Sequence, residues 1–220
     1  MTISQGGQDT ELHGTLETGS RHFNVAVGGT FDHLHVGHKL LLTMTAFLLE
    51  PSHASNSHQR RLIVGITGDE LLKNKKYIEY LGSWNDRQEA AADFISTITD
   101  FRYSSQTKPT TESRSVELLP GQRAIQTQVF ADLRVEYVEL TDPFGPTVTD
   151  ESISALIISA ETRSGGEAVN TKRQEAGWKA LEVFEVDVLD AGGASAKDEC
   201  FQDKISSTEI RRLKAEKANA

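Results

Sequence analysis

The densest chemistry in this chain of 220 residues is the run Gly28-Gly29-Thr30-Phe31-Asp32-His33-Leu34-His35-Val36-Gly37-His38. Three of the seven histidines fall within it. An apolar stretch, Phe23 to Val27, ends in the double glycine, and a helical period begins a short loop later. His35 and His38 are three apart across the helix start, so both imidazoles can point into one space above its amino terminus. Main-chain N–H groups and the positive end of the helix dipole favour an anion there. Gly37 lies between them and leaves room for a ligand to approach. Two imidazole donors over a helix terminus suit phosphate. Zinc would need a third ligand at a matching spacing, and none is apparent. His33 reads equally well as an exposed turn residue, and Asp32 as a cap on the turn.

A second cluster is Ile205-Ser206-Ser207-Thr208-Glu209-Ile210-Arg211. Ser206, Ser207 and Thr208 bring hydroxyls and free N–H groups to another helix start. Arg211, one turn inside, can add a charge-assisted contact. Ser206 with Glu209 also has the form of a capping box. Lys73, Lys75 and Lys76 follow an apolar run after a turn, where one of them can reach phosphate. Lys75 and Lys76 read equally as a solvated basic face, and Lys39, inside the first helix, is a weaker phosphate candidate. No G-x-x-x-x-G-K-[ST] and no G-x-G occurs, which excludes a P-loop and the dinucleotide fingerprint.

These residues need elements to hold them. Val36, Leu40, Leu41, Met44, Phe47 and Leu48 repeat at helical spacing after the histidine run. Arg61 to Thr67, Val135 to Leu140, Ala155 to Ile158 and Leu181 to Leu189 read as further buried strands. Ser83 with Asp86 resembles a capping box that opens a helix carrying Ala91, Phe94, Ile95, Ile98 and Phe101 on one face. Asp142-Pro143-Phe144-Gly145-Pro146 is turn chemistry. A helix is expected from about Glu167 to Gly177, and a last one from Ser206. Strands alternate with helices, which predicts an α/β fold, a doubly wound five-stranded parallel sheet. Ligands in such sheets bind beyond the carboxyl ends of the strands, at the switch point. The loops after the first and fourth strands are therefore where the chemistry should lie.

Residues 1–21 are polar and read as a disordered tail. Residues 22–220 read as a single domain with polar insertions near 51–60, 104–122 and 191–199. Lys plus Arg number 23 and Asp plus Glu 32, a net charge of −9. That balance argues against nucleic acid or an anionic membrane as the main partner. Cys200 is alone, so no intrachain disulfide and no cysteine metal site is expected. No apolar run reaches the length of a membrane span. The first residues have neither a secretory nor a transit-peptide pattern, so a cytoplasmic setting is expected.

The run GGTFDHLHVGHK resembles the GTFD…HxGH signature of the cytidylyltransferase-like nucleotidyltransferases, and ISSTEIR resembles their ISSTxIR motif. Asp142 to Pro146, Ser159-Ala160-Glu161-Thr162, Gly165-Gly166, Asn170 and Arg173 resemble the eukaryotic, fungal-type pantetheine-phosphate adenylyltransferases. So do Asp69 to Lys73 and Arg87. The resemblance runs from about Val25 to Leu213. It implies a Rossmann-like nucleotidyltransferase fold and transfer of the adenylyl group of ATP to 4′-phosphopantetheine, with release of pyrophosphate. Mg2+ is implied with it, bound mainly through ATP phosphates, with no resident metal site in the protein. By the same resemblance His38, His35, Lys73 and Arg211 would be catalytic. Gly28, Gly29, Thr30, Phe31, His35, Gly37, His38, Glu161, Ser206, Ser207 and Thr208 would bind ATP. Thr30, Lys73, Arg87, Asn170 and Arg173 would bind phosphopantetheine. The competing readings are a cytidylyltransferase acting on a small alcohol phosphate, an inactive nucleotide-binding regulator, and an interaction module.

Overall fold

A computed structural model describes residues 20–51, 58–99, 112–186 and 206–218. Four strands form the centre: β1 (Asn24–Gly29), β2 (Arg60–Thr67) and β6 (Ala155–Ser159), built on short apolar runs, and β5 (Leu133–Leu140), where Arg134, Glu136 and Glu139 interrupt the apolar residues. Near-continuous apolar runs are what strands covered on both faces require. Around them lie α1 (Val36–Leu48), α2 (Trp84–Thr99), β3 (Ser113–Leu119), β4 (Gln122–Phe130), α3 (Arg163–Glu175), β7 (Glu182–Val186) and α4 (Ser207–Ala218). The seven strands form one sheet in the order β3-β4-β5-β2-β1-β6-β7.

Strands β5, β2, β1, β6 and β7 are parallel neighbours, the five expected. The chain order reverses direction at β1, between β2 and β6, which makes that junction the switch point. Strands alternate which side chains they send to each face. Val25, Val27, Leu62, Val64, Ile66, Tyr137 and Ile157 pack with Leu42 of α1 and Ala91 and Ile95 of α2 on one face. Ala26, Ile63, Val138, Leu156 and Ile158 pack with Val169 of α3 on the other. Burying each of these larger side chains stabilises the fold by roughly 1.5–3 kcal/mol.

Two strands exceed the expected five. Residues 113–130 form an antiparallel hairpin, β3 with β4 and β4 with β5. The expected polar insertion at 104–122 is corrected here: residues 113–119 and 122 belong to the sheet. Polarity misleads because β3 is an edge strand, exposed at most of its positions. Pro120 and Gly121 make the turn, with Gly121 at φ +79 where a glycine is favoured. Helix α3 begins at Arg163, ahead of the expected Glu167. Strand β7 is described to Val186. The expected N-terminal tail to residue 19, Phe101, the 191–199 insertion, Cys200 and Ile205 lie outside the described residues.

The capping box expected at α2 closes, and the one expected at α4 closes only halfway. Ser83 N–H donates to Asp86 Oδ2 at 2.9 Å and Asp86 N–H donates back to Ser83 Oγ at 3.3 Å, closing the box that starts α2. At α4, Glu209 N–H donates to Ser206 Oγ at 3.2 Å. The Glu209 carboxylate turns instead to Arg212. Helix α1 has no side-chain cap and no acidic residue in its first turn. Its amino-terminal N–H groups are left to other acceptors.

Candidate active site

A cleft of 630 Å3 opens over the carboxyl ends of β1 and β6, on the face that α3 covers. Gly28 and Gly29 close β1 and line it, followed by Thr30. Thr30, His35, Gly37 and His38 line it from the α1 side, and Ser206, Ser207, Thr208 and Arg211 line it from the α4 side. The amino ends of α1 and α4 thus bound a single space. Ile63, Leu140, Phe144, Pro146, Leu156 and Ile158 give the cleft an apolar part. Glu161 and Gly165–Gly166 of the β6–α3 junction make the remaining side.

The histidine loop is shaped by its backbone. Phe31 and His33 adopt left-handed conformations, with φ of +52 and +47. Such positions cost roughly 1–3 kcal/mol for residues with a side chain, and surrounding contacts must hold them. The Phe31 ring is wholly buried and lies 5.3 Å from the His38 ring. His33 Nε2 lies 2.9 Å from the Tyr80 carbonyl, and Lys214 Nζ lies 3.3 Å from His33 Nδ1.

His35 and His38 stack with ring centroids 3.9 Å apart. Burial, then the neighbouring His35, pushes the His38 imidazole down to about 3, against a smaller opposing pull from Asp32. At neutral pH His38 is therefore uncharged and donates through a single N–H. Its Nδ1 is buried and meets no hydrogen-bond partner among the described residues.

Several expected ligands are occupied elsewhere. Arg87 is almost wholly buried. It donates to the carbonyls of Thr30 at 2.8 Å and Gly82 at 3.0 Å and pairs with Asp69 at 2.6 Å. Arg173 is buried too, and donates to the carbonyls of Thr147, Asp150, Glu151, Ile153 and Lys179. It thereby fixes the segment behind the Pro146–Thr147 edge of the cleft. Asn170 clasps the main chain of Leu181 through both its carbonyl and its amide. Lys73 is exposed and paired with Glu70. None of Arg87, Arg173, Asn170 or Lys73 lines the cleft, whereas Lys75 does. Phe31 lies beneath the loop and does not line it either. Lys39 extends over the Phe94 ring, 5.7 Å from its centroid.

Arg211 lines the cleft but is engaged. Its guanidinium donates to Asp32 Oδ2 at 2.5 Å, to Thr208 Oγ1 at 3.1 Å and to the Lys76 carbonyl at 3.0 Å. Phe144 lies within the Asp142–Pro146 run singled out in the sequence, whereas Leu140 had no motif to mark it. The Asp142 carboxylate accepts from the N–H groups of Phe144 and Gly145 at 2.7 and 2.9 Å, which builds the turn that presents Phe144. Gly145 sits at φ +50, and a Cβ there would come within 2.3 Å of Leu140.

Residues 26–213 match the model of the cytidylyltransferase-like family. The chain belongs to that family. It is 37% identical over 203 residues to the phosphopantetheine adenylyltransferase of Saccharomyces cerevisiae, covering 92% of this chain and 52% of that protein. An uncharacterised protein of Schizosaccharomyces pombe is 36% identical over 187 residues, 84% of this chain and 46% of that one. The chain thus spans about half the length of these two relatives. A phosphopantetheine adenylyltransferase of Pyrococcus abyssi is 27% identical over 187 residues, 85% of this chain and 87% of that protein. Membership in the family agrees with the Rossmann-like sheet, and the residues of both sequence motifs line one cleft.

Proposed function

We propose that this chain transfers the adenylyl group of ATP to 4′-phosphopantetheine, giving dephospho-coenzyme A and pyrophosphate. The observation that carries the reading is one cleft walled by the amino ends of α1 and α4, with an apolar surface continuous with it. The polar walls suit a triphosphate and a second phosphate. The apolar part suits an adenine ring or the pantetheine arm. The names of the Saccharomyces cerevisiae and Pyrococcus abyssi relatives support the choice of acceptor.

The acceptor phosphate is already an anion, so attack on the α-phosphorus of ATP needs no general base. One P–O bond forms as the bond to pyrophosphate breaks, in line. Catalysis is then positioning and charge stabilisation. Thr30 holds the attacking phosphate. His35 and His38 donate to the triphosphate, His38 nearest the transferring phosphorus. Ser206, Thr208 and the amino-terminal N–H groups of α4 hold the β and γ phosphates, which leave as pyrophosphate. Thr208 Oγ1 accepts from Arg211, which leaves its own O–H to donate. Lys75 supplies charge at that end, and Lys73 does so on leaving Glu70. Gly28, Gly29 and Gly37 allow the nucleotide to approach the main chain, and Glu161 borders it.

No group of three or more His, Cys, Asp or Glu able to hold a metal occurs among the described residues. In this reading Mg2+ would arrive with ATP, held by phosphate oxygens and water, and would neutralise triphosphate charge. The partners in this reading are small molecules and the setting is cytoplasmic. Among the described residues no helix is long and apolar enough to cross a membrane.

The test is pyrophosphate release from Mg·ATP. Release that depends on 4′-phosphopantetheine is expected, with CTP a poor substitute. A preference for CTP, or ATP binding with no release in the presence of this acceptor, would overturn the reading.

A further inference from the structure

The loop that carries the histidines is anchored through Asp32. This residue is fully buried. Its Oδ2 accepts from Arg211 Nη1 at 2.5 Å, its Oδ1 from the Gly82 N–H at 3.3 Å, and its main-chain carbonyl from the Ser207 hydroxyl at 2.8 Å. Three elements meet on it: the loop leading into α1, the Ile78–Gly82 segment, and the first turn of α4. Gly82 is shared, because its carbonyl accepts from Arg87, which also grips Thr30. The left-handed Phe31 thus lies between two residues that buried arginines hold.

Arg211 is engaged on all three of its nitrogens, by Asp32, Thr208 and the Lys76 carbonyl. A cation paired with a carboxylate at this distance presents little net field to a phosphate beyond it. Its fork instead ties α4 to the histidine loop.

We propose that Asp32 is a positioning residue for the transfer. It holds the amino end of α4 in register with His35 and His38, and Arg211 serves the reaction through Asp32 rather than by its charge on phosphate. This rests on the nucleotidyl-transfer reading above. Asp32 touches no substrate in it; its effect is on the spacing of groups that do.

The experiment is a double-mutant cycle on the full chain, Asp32→Asn, Arg211→Met and both together, with Arg211→Lys alongside. Pyrophosphate release is measured with saturating Mg·ATP and 4′-phosphopantetheine, and rates are referred to the folded fraction read by circular dichroism. Each single variant should lower kcat about 100-fold, as misplacement of reacting groups by about 1 Å does. The double variant should be no slower than the worse single one, because both remove the same link. Arg211→Lys should fall with Arg211→Met, since one ammonium cannot hold three acceptors in a fixed fork. Multiplying single effects, near-wild-type turnover in Arg211→Lys, or folded variants with unchanged kcat would each overturn the proposal. If the neutral variants do not fold, Arg211→Lys keeps the buried charge and decides the question alone. Hydrogen exchange gives an arm that needs no turnover. In Asp32→Asn, or in Arg211→Lys if Asp32→Asn does not fold, the amides of α4 should lose protection while those of β1 and β2 keep theirs. Unchanged α4 protection would overturn the proposal even if the wild-type chain proved inactive on these substrates, a result that would count against the proposed function instead.

Discussion

Replacing His38 by Asn tests the electrostatics of the cleft without reference to any substrate. In the free protein His38 titrates near 3, against 6.5 for an ordinary histidine, because burial and the stacked His35 oppose its charge. Between those two values the unfolded chain holds a proton at this position and the folded chain does not. Stability therefore rises with pH across that window, and falls as acid is added from 6.5 downward. The full linkage between pH 7 and pH 5 amounts to about 2 kcal/mol. Solvent on the open side of the cleft trims this to about 1–2 kcal/mol. Urea unfolding of wild type and His38→Asn at both pH values measures it. The variant should lose about 1–2 kcal/mol less on acidification than wild type. Equal losses in the two proteins would mean that His38 is not held neutral by its surroundings. Phosphate reverses the sign. An anion beside the ring favours imidazolium, so at pH 6 ATP should bring a proton with it to wild type and less of one to His38→Asn. Calorimetry in two buffers of different ionisation enthalpy reads that uptake.

Other outcomes follow from the same contacts. His38→Ala should lower kcat for adenylyl transfer about 100- to 1,000-fold with a smaller change in KM, as loss of one transition-state donor does. Lys75→Met should raise KM for ATP more than Lys73→Met, since Lys75 lines the cleft and Lys73 is paired with Glu70 outside it. Steady-state kinetics on both variants checks this. Arg173→Met should destabilise the fold by about 3 kcal/mol or more in urea, because it strands several buried carbonyls. The folded fraction should keep its KM for the acceptor. Gly145→Ala should cost about 1–3 kcal/mol in the same assay, being forced into a left-handed backbone against Leu140.

The parallel centre of the sheet was legible because strands covered on both faces must be apolar throughout, as Leu62 to Val64 and Ala155 to Ile158 are. Helix α1 was legible from its period but its buried side was not, since Val36, Met44 and Phe47 are exposed while Leu42 and Thr45 are buried; the start of α2 was legible from Ser83 and Asp86, which bond as such pairs do. The hairpin at 113–130 was not. Its outer strand β3 lies at the sheet edge, is mostly exposed, and so carries the composition of a loop. At the cleft the two helix starts could be read from hydroxyls, imidazoles and glycines in short runs. The arginines could not. A guanidinium suits a phosphate and a ring of main-chain carbonyls equally well, and only packing separates Arg173, seated on carbonyls, from a side chain facing the cleft. Leu140 likewise left no trace, because its place over Gly65 and Gly145 depends on where three segments converge.

Asp32 and Arg211 stand 179 positions apart in the chain. Closing so long a loop is entropically costly and brings its return only when the intervening sheet already exists. The sheet can therefore condense around β1, β2, β5 and β6 before α4 arrives, and the α4 side of the cleft is then the last part of it to form. A partly folded chain would hold the histidine loop but lack the hydroxyls opposite it. On the proposed reading of the cleft, a nucleotide would meet its full set of contacts only once α4 has docked.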